Sequence, residues 1–306
     1  MRRLKQLGLS ARVHRTVVIE QSGTAARCGD ERRGEVARAN STWSTWSSAR
    51  QVDRPVPHRL KLQTPIRALS SKECDNMGMV KLKSSDGTVS GYLAIPKKGN
   101  GPGVLVLHAW WGLTDFLKGL CDRLATAGFV AFAPDLYRGA TAAIRDEAKK
   151  LVSKLDDEAA KRDIAGSVRG LQTHPAVRGK RLGVIGFSLG AFLGLGLVQE
   201  FPGDVAAVVL FYGTREGDYD TAKLSKTKAA FLGHFAETDE FESATSVADL
   251  EKLLHTIGKD VTFHAYPGTT HWFFEEDRAD SYNPRAAEVA WERTIRFLKA
   301  RLSLQG

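Results

Sequence analysis

Residues 186–190, Gly186-Phe187-Ser188-Leu189-Gly190, hold a serine between two glycines. They lie directly after the apolar run Leu182–Ile185 and directly before an Ala/Leu/Gly-rich stretch that reaches Gln199. A G-x-S-x-G pentapeptide between strand and helix puts its serine at the apex of a sharp turn. There the hydroxyl is exposed, and the N–H groups of the starting helix favour developing negative charge. The same five residues would also suit a turn whose serine merely caps a helix. Chemistry therefore requires partners elsewhere in the chain.

A serine hydroxyl is a poor nucleophile at neutral pH and needs a base to take its proton as the bond to a carbonyl carbon forms. His271 is placed for this, in the loop Tyr266-Pro-Gly-Thr-Thr-His271 that follows a strand pattern. His234, at a strand end, is the second choice, whereas His174, His255 and His264 fall in a pre-proline loop, mid-helix and mid-strand. The base in turn needs an acid to fix its tautomer and stabilise the imidazolium. Asp239, in Gly233-His-Phe-Ala-Glu-Thr-Asp239-Glu-Phe, meets that need, with Glu237 as the alternative in the same loop. A merely solvated acidic turn would look similar. The tetrahedral oxyanion calls for two backbone donors, here the N–H groups of Leu189 and Trp110. Trp110, Trp111, Phe187, Tyr137, Tyr212 and Trp272 are expected to line an aromatic, mostly apolar pocket, with Arg138 also placed in it.

The elements that must position these groups are legible from Val80 onward. Two strands, Val80–Lys83 and Val89–Ile95, read as a hairpin across Ser85-Asp86-Gly87. Continuous apolar runs follow at 103–108, 129–134, 182–185, 205–211 and 229–232, with a last strand at 261–266. Helical periodicity occupies 115–127, 140–172, 189–199, 246–257 and 284–302 between and after them. Strands that are apolar throughout and alternate with helices imply a mostly parallel sheet covered on both faces, an α/β fold. In such sheets reactive groups collect beyond the carboxyl ends of strands, and Ser188, Asp239 and His271 all fall there, in the chain order expected of α/β-hydrolases.

Taken together, His108-Ala-Trp-Trp-Gly-Leu-Thr-Asp115, Ala133-Pro-Asp-Leu-Tyr137, the 186–190 turn, the Asp239 loop and Gly268-Thr-Thr-His271 resemble the dienelactone hydrolase family, over about residues 80–302. The resemblance implies the α/β-hydrolase fold and cleavage of ester or lactone bonds without metal or cofactor. It also carries the nucleophile, acid and base onto Ser188, Asp239 and His271. Two departures stand out. The family's founding enzymes have cysteine where this chain has Ser188, and a glutamate coupled to the thiol's activation where it has Ala109. A serine that relies on His271 does not need that glutamate, so the two changes agree chemically. The arginines that hold a dienelactone carboxylate in the family are not matched either. Glu275 stands four residues after His271, and only Arg138 lies near Asp135-Leu-Tyr137, so dienelactone itself is not the expected substrate. The expectation is a serine hydrolase of a small ester or lactone. A non-catalytic ligand-binding protein on the same scaffold, and acyl transfer or perhydrolysis by the same triad, are the alternatives.

The chain has 306 residues and a net charge of +9, but the charge is unevenly spread. Residues 1–76 hold 15 of the 44 Lys and Arg and 7 of the 35 Asp and Glu, leaving the remainder nearly neutral. Because the basic excess sits in a leader with little aromatic interleaving, a nucleic-acid partner is not expected. The leader, rich in Arg, Ser and Thr without periodicity, reads as disordered. It resembles a transit segment except for its acids Glu20, Asp30, Glu31 and Glu35, and a gene-start artefact with initiation at Met77 or Met79 is the favoured reading. Cys28, Cys74 and Cys121 define neither a disulfide framework nor a metal site. With no run of about 20 apolar residues, the expected protein is cytoplasmic, off the membrane, and a monomer or small homo-oligomer.

Overall fold

The structure is a computed structural model that describes residues 77–302 other than 86 and 216. The leader expectations, including Cys28 and Cys74, lie outside the described residues. Eight strands form one sheet: β1 (Met77–Ser84), β2 (Gly87–Ala94), β3 (Gly101–Leu107), β4 (Val130–Pro134), β5 (Val177–Phe187), β6 (Val205–Phe211), β7 (Ala230–Ala236) and β8 (Val261–Tyr266). Their spatial order is β1-β2-β4-β3-β5-β6-β7-β8. The β1–β2 and β2–β4 pairs are antiparallel, and every pair from β4 to β8 is parallel. Seven helices accompany them among the described residues: α1 (Asp115–Thr126), α2 (Arg145–Lys154), α3 (Asp157–Thr173), α4 (Leu189–Glu200), α5 (Thr221–Lys226), α6 (Ala244–Thr256) and α7 (Pro284–Leu302).

The central strands are apolar at every position because both faces are buried, and their alternating side chains build two cores. Leu105, Leu107, Val184, Val208 and Leu210 face one way, with residues of α3, α4 and α6. Val104, Val106, Ile185, Phe187 and Phe211 face the other, with α1 and α7. Cys121 is a buried thiol on α1, its pKa raised by burial.

Three details differ from the sequence-based pattern. The single helix expected over 140–172 is two, because Leu155 is extended (φ −60°, ψ 125°) and Asp156 caps α3 by accepting from the N–H groups of Glu158 and Ala159. Strands β1 and β5 start earlier than Val80 and Leu182: pairing with β2 carries β1 back to Met77, and pairing with β3 carries β5 back to Val177, across the polar Arg178, Lys180 and Arg181. The short helix α5, capped by Asp220, carried too weak a periodicity to be read.

Candidate active site

Ser188 closes β5 and opens α4 with φ 50° and ψ −111°, in the left-handed region that non-glycine residues avoid. Strain of this kind costs about 1–3 kcal/mol and persists only where the surroundings over-determine it. Here they do. The Ser188 N–H donates to the Phe211 carbonyl at 2.9 Å, and its own carbonyl accepts from the Ala191 N–H at 2.9 Å. A Cβ on Gly190 would collide with the Leu107 carbonyl oxygen and lie 2.8 Å from that of His108; one on Gly186 would lie 2.6 Å from the Ala191 Cα. Only glycine at both positions lets α4 descend onto β3 and β5 while lifting the serine out of the sheet.

The three side chains expected to act together are within contact of one another. Ser188 Oγ lies 3.0 Å from His271 Nε2, and His271 Nδ1 lies 2.7 and 2.9 Å from the two oxygens of Asp239. A carboxylate can only accept, so Nδ1 carries the proton and Nε2 is left as the acceptor of the serine hydroxyl. Asp239 Oδ1 also accepts from the N–H groups of Phe241 (2.8 Å) and Glu242 (3.0 Å), which holds the acid in place. The His271 and Asp239 side chains are 3% and 5% exposed, so the pair operates away from bulk water.

The alternatives are occupied otherwise. His234 is fully buried, 2.8 Å from the Tyr266 hydroxyl and 3.0 Å from that of Thr294, and burial drives its pKa well down. Glu237 Oε2 accepts from the Gly268 N–H at 2.9 Å and, with the Thr238 N–H to Thr269 carbonyl bond, staples the acid loop to the histidine loop. His264, in β8, is held by burial at a pKa of about 4.

The turn after β3 is organised by His108. Its Nδ1 donates to the Ala109 carbonyl at 2.7 Å, the Gly112 N–H adds a second bond to that carbonyl at 3.2 Å, and burial keeps the ring neutral. In a trans peptide the carbonyl and the following N–H point opposite ways, so anchoring the Ala109 carbonyl aims the Trp110 N–H away from the His108 ring. Ala109 is completely buried, in the core face shared with α1.

Around His271 the aromatic residues separate into those at the mouth and those behind it. Trp110 is half-buried and stacks on Trp272 (5.8 Å, 21°), while Trp111 and Trp272 are 3% and 4% exposed and support it. Tyr212 backs the imidazole at 4.9 Å, and its hydroxyl donates to Glu275 Oε1 at 2.7 Å. Glu275 is buried, and desolvation pushes its carboxyl up to about 8, so it is neutral at pH 7. Three expected pocket residues are elsewhere. Phe187 is a core residue at 0% exposure, stacked on Phe211 at 4.6 Å, because the side chain before the serine turn points into the sheet face. Tyr137 is buried beside His108, ring to ring at 5.0 Å. Arg138 turns to α3 and pairs with Asp163 at 2.5 Å.

The sequence reading missed Phe241. It is 45% exposed, with its ring 4.8 Å from that of His271 and 5.1 Å from that of Trp272. The signal was a lone aromatic residue in the run Asp239-Glu-Phe-Glu242. Among the described residues no group of acids, histidines and cysteines is arranged to hold a metal, and no helix is long and apolar enough to cross a membrane.

Comparison with known proteins gives a consistent outcome. A family model described as "Dienelactone hydrolase family" matches residues 89–302. "Protein usf" of Aquifex pyrophilus is 38% identical over 231 residues, covering 74% of this chain and 99% of that protein. A "Putative carboxymethylenebutenolidase" of Aquifex aeolicus is 37% identical over 230 residues, covering 73% and 98%. Among solved structures, a "Putative Dienelactone Hydrolase" of Klebsiella pneumoniae superposes with a TM-score of 0.64 at 25% identity, over 72% of this chain and 97% of that one.

Proposed function

This chain belongs to the dienelactone hydrolase family, and from that membership we propose that it is a serine hydrolase cleaving a small carboxylic ester or lactone through an acyl-enzyme. The observation that carries the reading is the 3.0 Å approach of Ser188 Oγ to an imidazole nitrogen whose ring partner is already bonded to Asp239. His271 Nε2 takes the Ser188 proton as Oγ bonds to the carbonyl carbon. The oxyanion is met by the N–H groups of Leu189, at the start of α4, and Trp110, aimed by His108. His271 then gives its proton to the departing alkoxide, the C–O bond breaks, and the acyl-serine forms. A water molecule repeats the sequence, with His271 again as base, and releases the acid.

Asp239, bonded to Nδ1, orients the ring and stabilises the imidazolium. Ala109 stands where the family's founding enzymes have the glutamate coupled to thiol activation, and a hydroxyl activated by His271 has no need of that glutamate. The name of the Aquifex aeolicus relative, "Putative carboxymethylenebutenolidase", supports a lactone among the substrates. The test is Ser188→Ala, which is expected to lower turnover of a p-nitrophenyl short-chain ester by about 10⁴-fold and to abolish labelling by a fluorophosphonate. Near-full turnover by the variant would refute the assignment. Failure of the native protein to take the label would favour a non-catalytic binding role instead.

A further inference from the structure

The mouth of the site presents apolar surface where a substrate must lie. Phe241 is 45% exposed although its ring is 4.8 Å from the imidazole, and it meets Trp110 edge-on at 5.6 Å. Trp110 carries one proposed oxyanion donor, so a carbonyl held between Ser188 and that N–H has these two rings beside it. Covering an aromatic face that otherwise stands in water favours a planar apolar group.

The charges nearby point the same way. Arg145 lies over Trp272 (4.9 Å) and Phe241 (5.6 Å), but Glu240 grips it at two points, Nη1 to Oε2 at 3.0 Å and Nη2 to Oε1 at 2.5 Å. Arg278, 4.0 Å over the Trp111 ring, donates to the Ala143 carbonyl (3.0 Å) and to Asp277 (3.2 Å). The two guanidiniums over Trp272 and Trp111 thus already have carboxylate partners, and the aromatic faces themselves carry a negative quadrupole that repels anions. A carboxylate brought here would lose its hydration without gaining a cation.

We propose that the substrate is an uncharged ester or lactone bearing a flat aryl or similarly planar apolar group, which lies against Phe241 and Trp110, and that Phe241 sets this preference. The proposal rests on the triad reading above.

The test compares 3-carboxyphenyl acetate with its methyl ester, 3-(methoxycarbonyl)phenyl acetate, a pair alike in leaving group and different in charge. The full chain is expected to prefer the uncharged compound by about tenfold or more in kcat/KM. Phe241→Ala is expected to lower kcat/KM for that aryl ester about fivefold more than for ethyl acetate, mainly through KM. A carboxylate substrate turned over as well as or better than its methyl ester overturns the proposal, as does a Phe241→Ala loss that is equal for aryl and alkyl esters. Ser188→Ala run in parallel separates the two levels. If it is dead while the native chain prefers the carboxylate, only the substrate class falls; if it stays active, the triad reading falls and takes this inference with it.

Discussion

At the scale of single residues, the side chains that meet at the site are held by groups that do no chemistry themselves. Glu275 is the clearest case. It sits behind Tyr212, which packs on His271, and it keeps its proton because burial disfavours the anion. Its pKa rises from 4.5 to about 8 on folding, so between those pH values the folded protein binds more protons than the unfolded chain. Stability from this group is therefore greatest at the acid end and falls as pH rises toward 8, by an amount on the order of a few kcal/mol. Glu275→Gln keeps an acceptor for the Tyr212 hydroxyl but has no proton to lose. Thermal unfolding of native protein and variant at pH 5, 6, 7 and 8 is expected to show a downward trend with pH that is shallower in Glu275→Gln; parallel trends would remove Glu275 from this role. The Tyr212–Glu275 bond was not legible in the sequence, where the two residues are 63 positions apart. Ser188, Asp239 and His271 could be singled out because each follows a strand in a loop whose local composition is unusual.

At the scale of elements, the decisive junction is β5–Ser188–α4. Helix α4 is apolar around nearly its whole circumference, as a helix buried on all sides must be. Its first turn lies so close to β3 that no side chain fits at residue 190. Gly190→Ala is expected to force the helix from the Leu107 and His108 carbonyls and cost about 1–3 kcal/mol or more, read as a lower urea midpoint, with esterase activity falling as well because Ser188 and Leu189 ride on that turn. Full stability in the alanine variant would contradict the close approach. The glycine spacing announced this junction, because it falls directly between an apolar run and an Ala/Leu/Gly-rich helical stretch. The break between α2 and α3 was less visible: Ile144 to Leu155 and Ile164 to Leu171 keep helical spacing on either side of it, and only the Asp156 cap marks the boundary.

At the scale of the whole molecule, the sheet separates two cores, and the site lies beyond the carboxyl ends of its strands, where the loops after β3, β5, β7 and β8 converge. Helix α7 closes one face: Leu298 and Leu302 are 0% and 4% exposed, and Leu298 lies 3.0 Å from where a side chain on Gly183 would begin. Leu298→Ala leaves a cavity between α7 and β5 and is expected to cost about 2–5 kcal/mol, measured by urea unfolding. Catalysis per folded molecule should survive, because Leu298 packs beside Gly183, well back along β5 from Ser188. A loss below 1 kcal/mol would mean that α7 is not an integral part of this core.

The alternation of strands with helices, the mostly parallel sheet and the choice of Ser188, His271 and Asp239 as candidates for nucleophile, base and acid could be read from the sequence alone, because they depend on local periodicity and on which residue types can do a given chemistry. The contents of the pocket were decided only by tertiary structure. Whether Phe187 faces the core or the substrate, whether Arg138 meets a ligand or Asp163, and whether Phe241 reaches His271 depend on the direction in which each Cβ leaves a folded backbone. That direction follows from how distant segments pack, and nothing in the neighbouring residues encodes it.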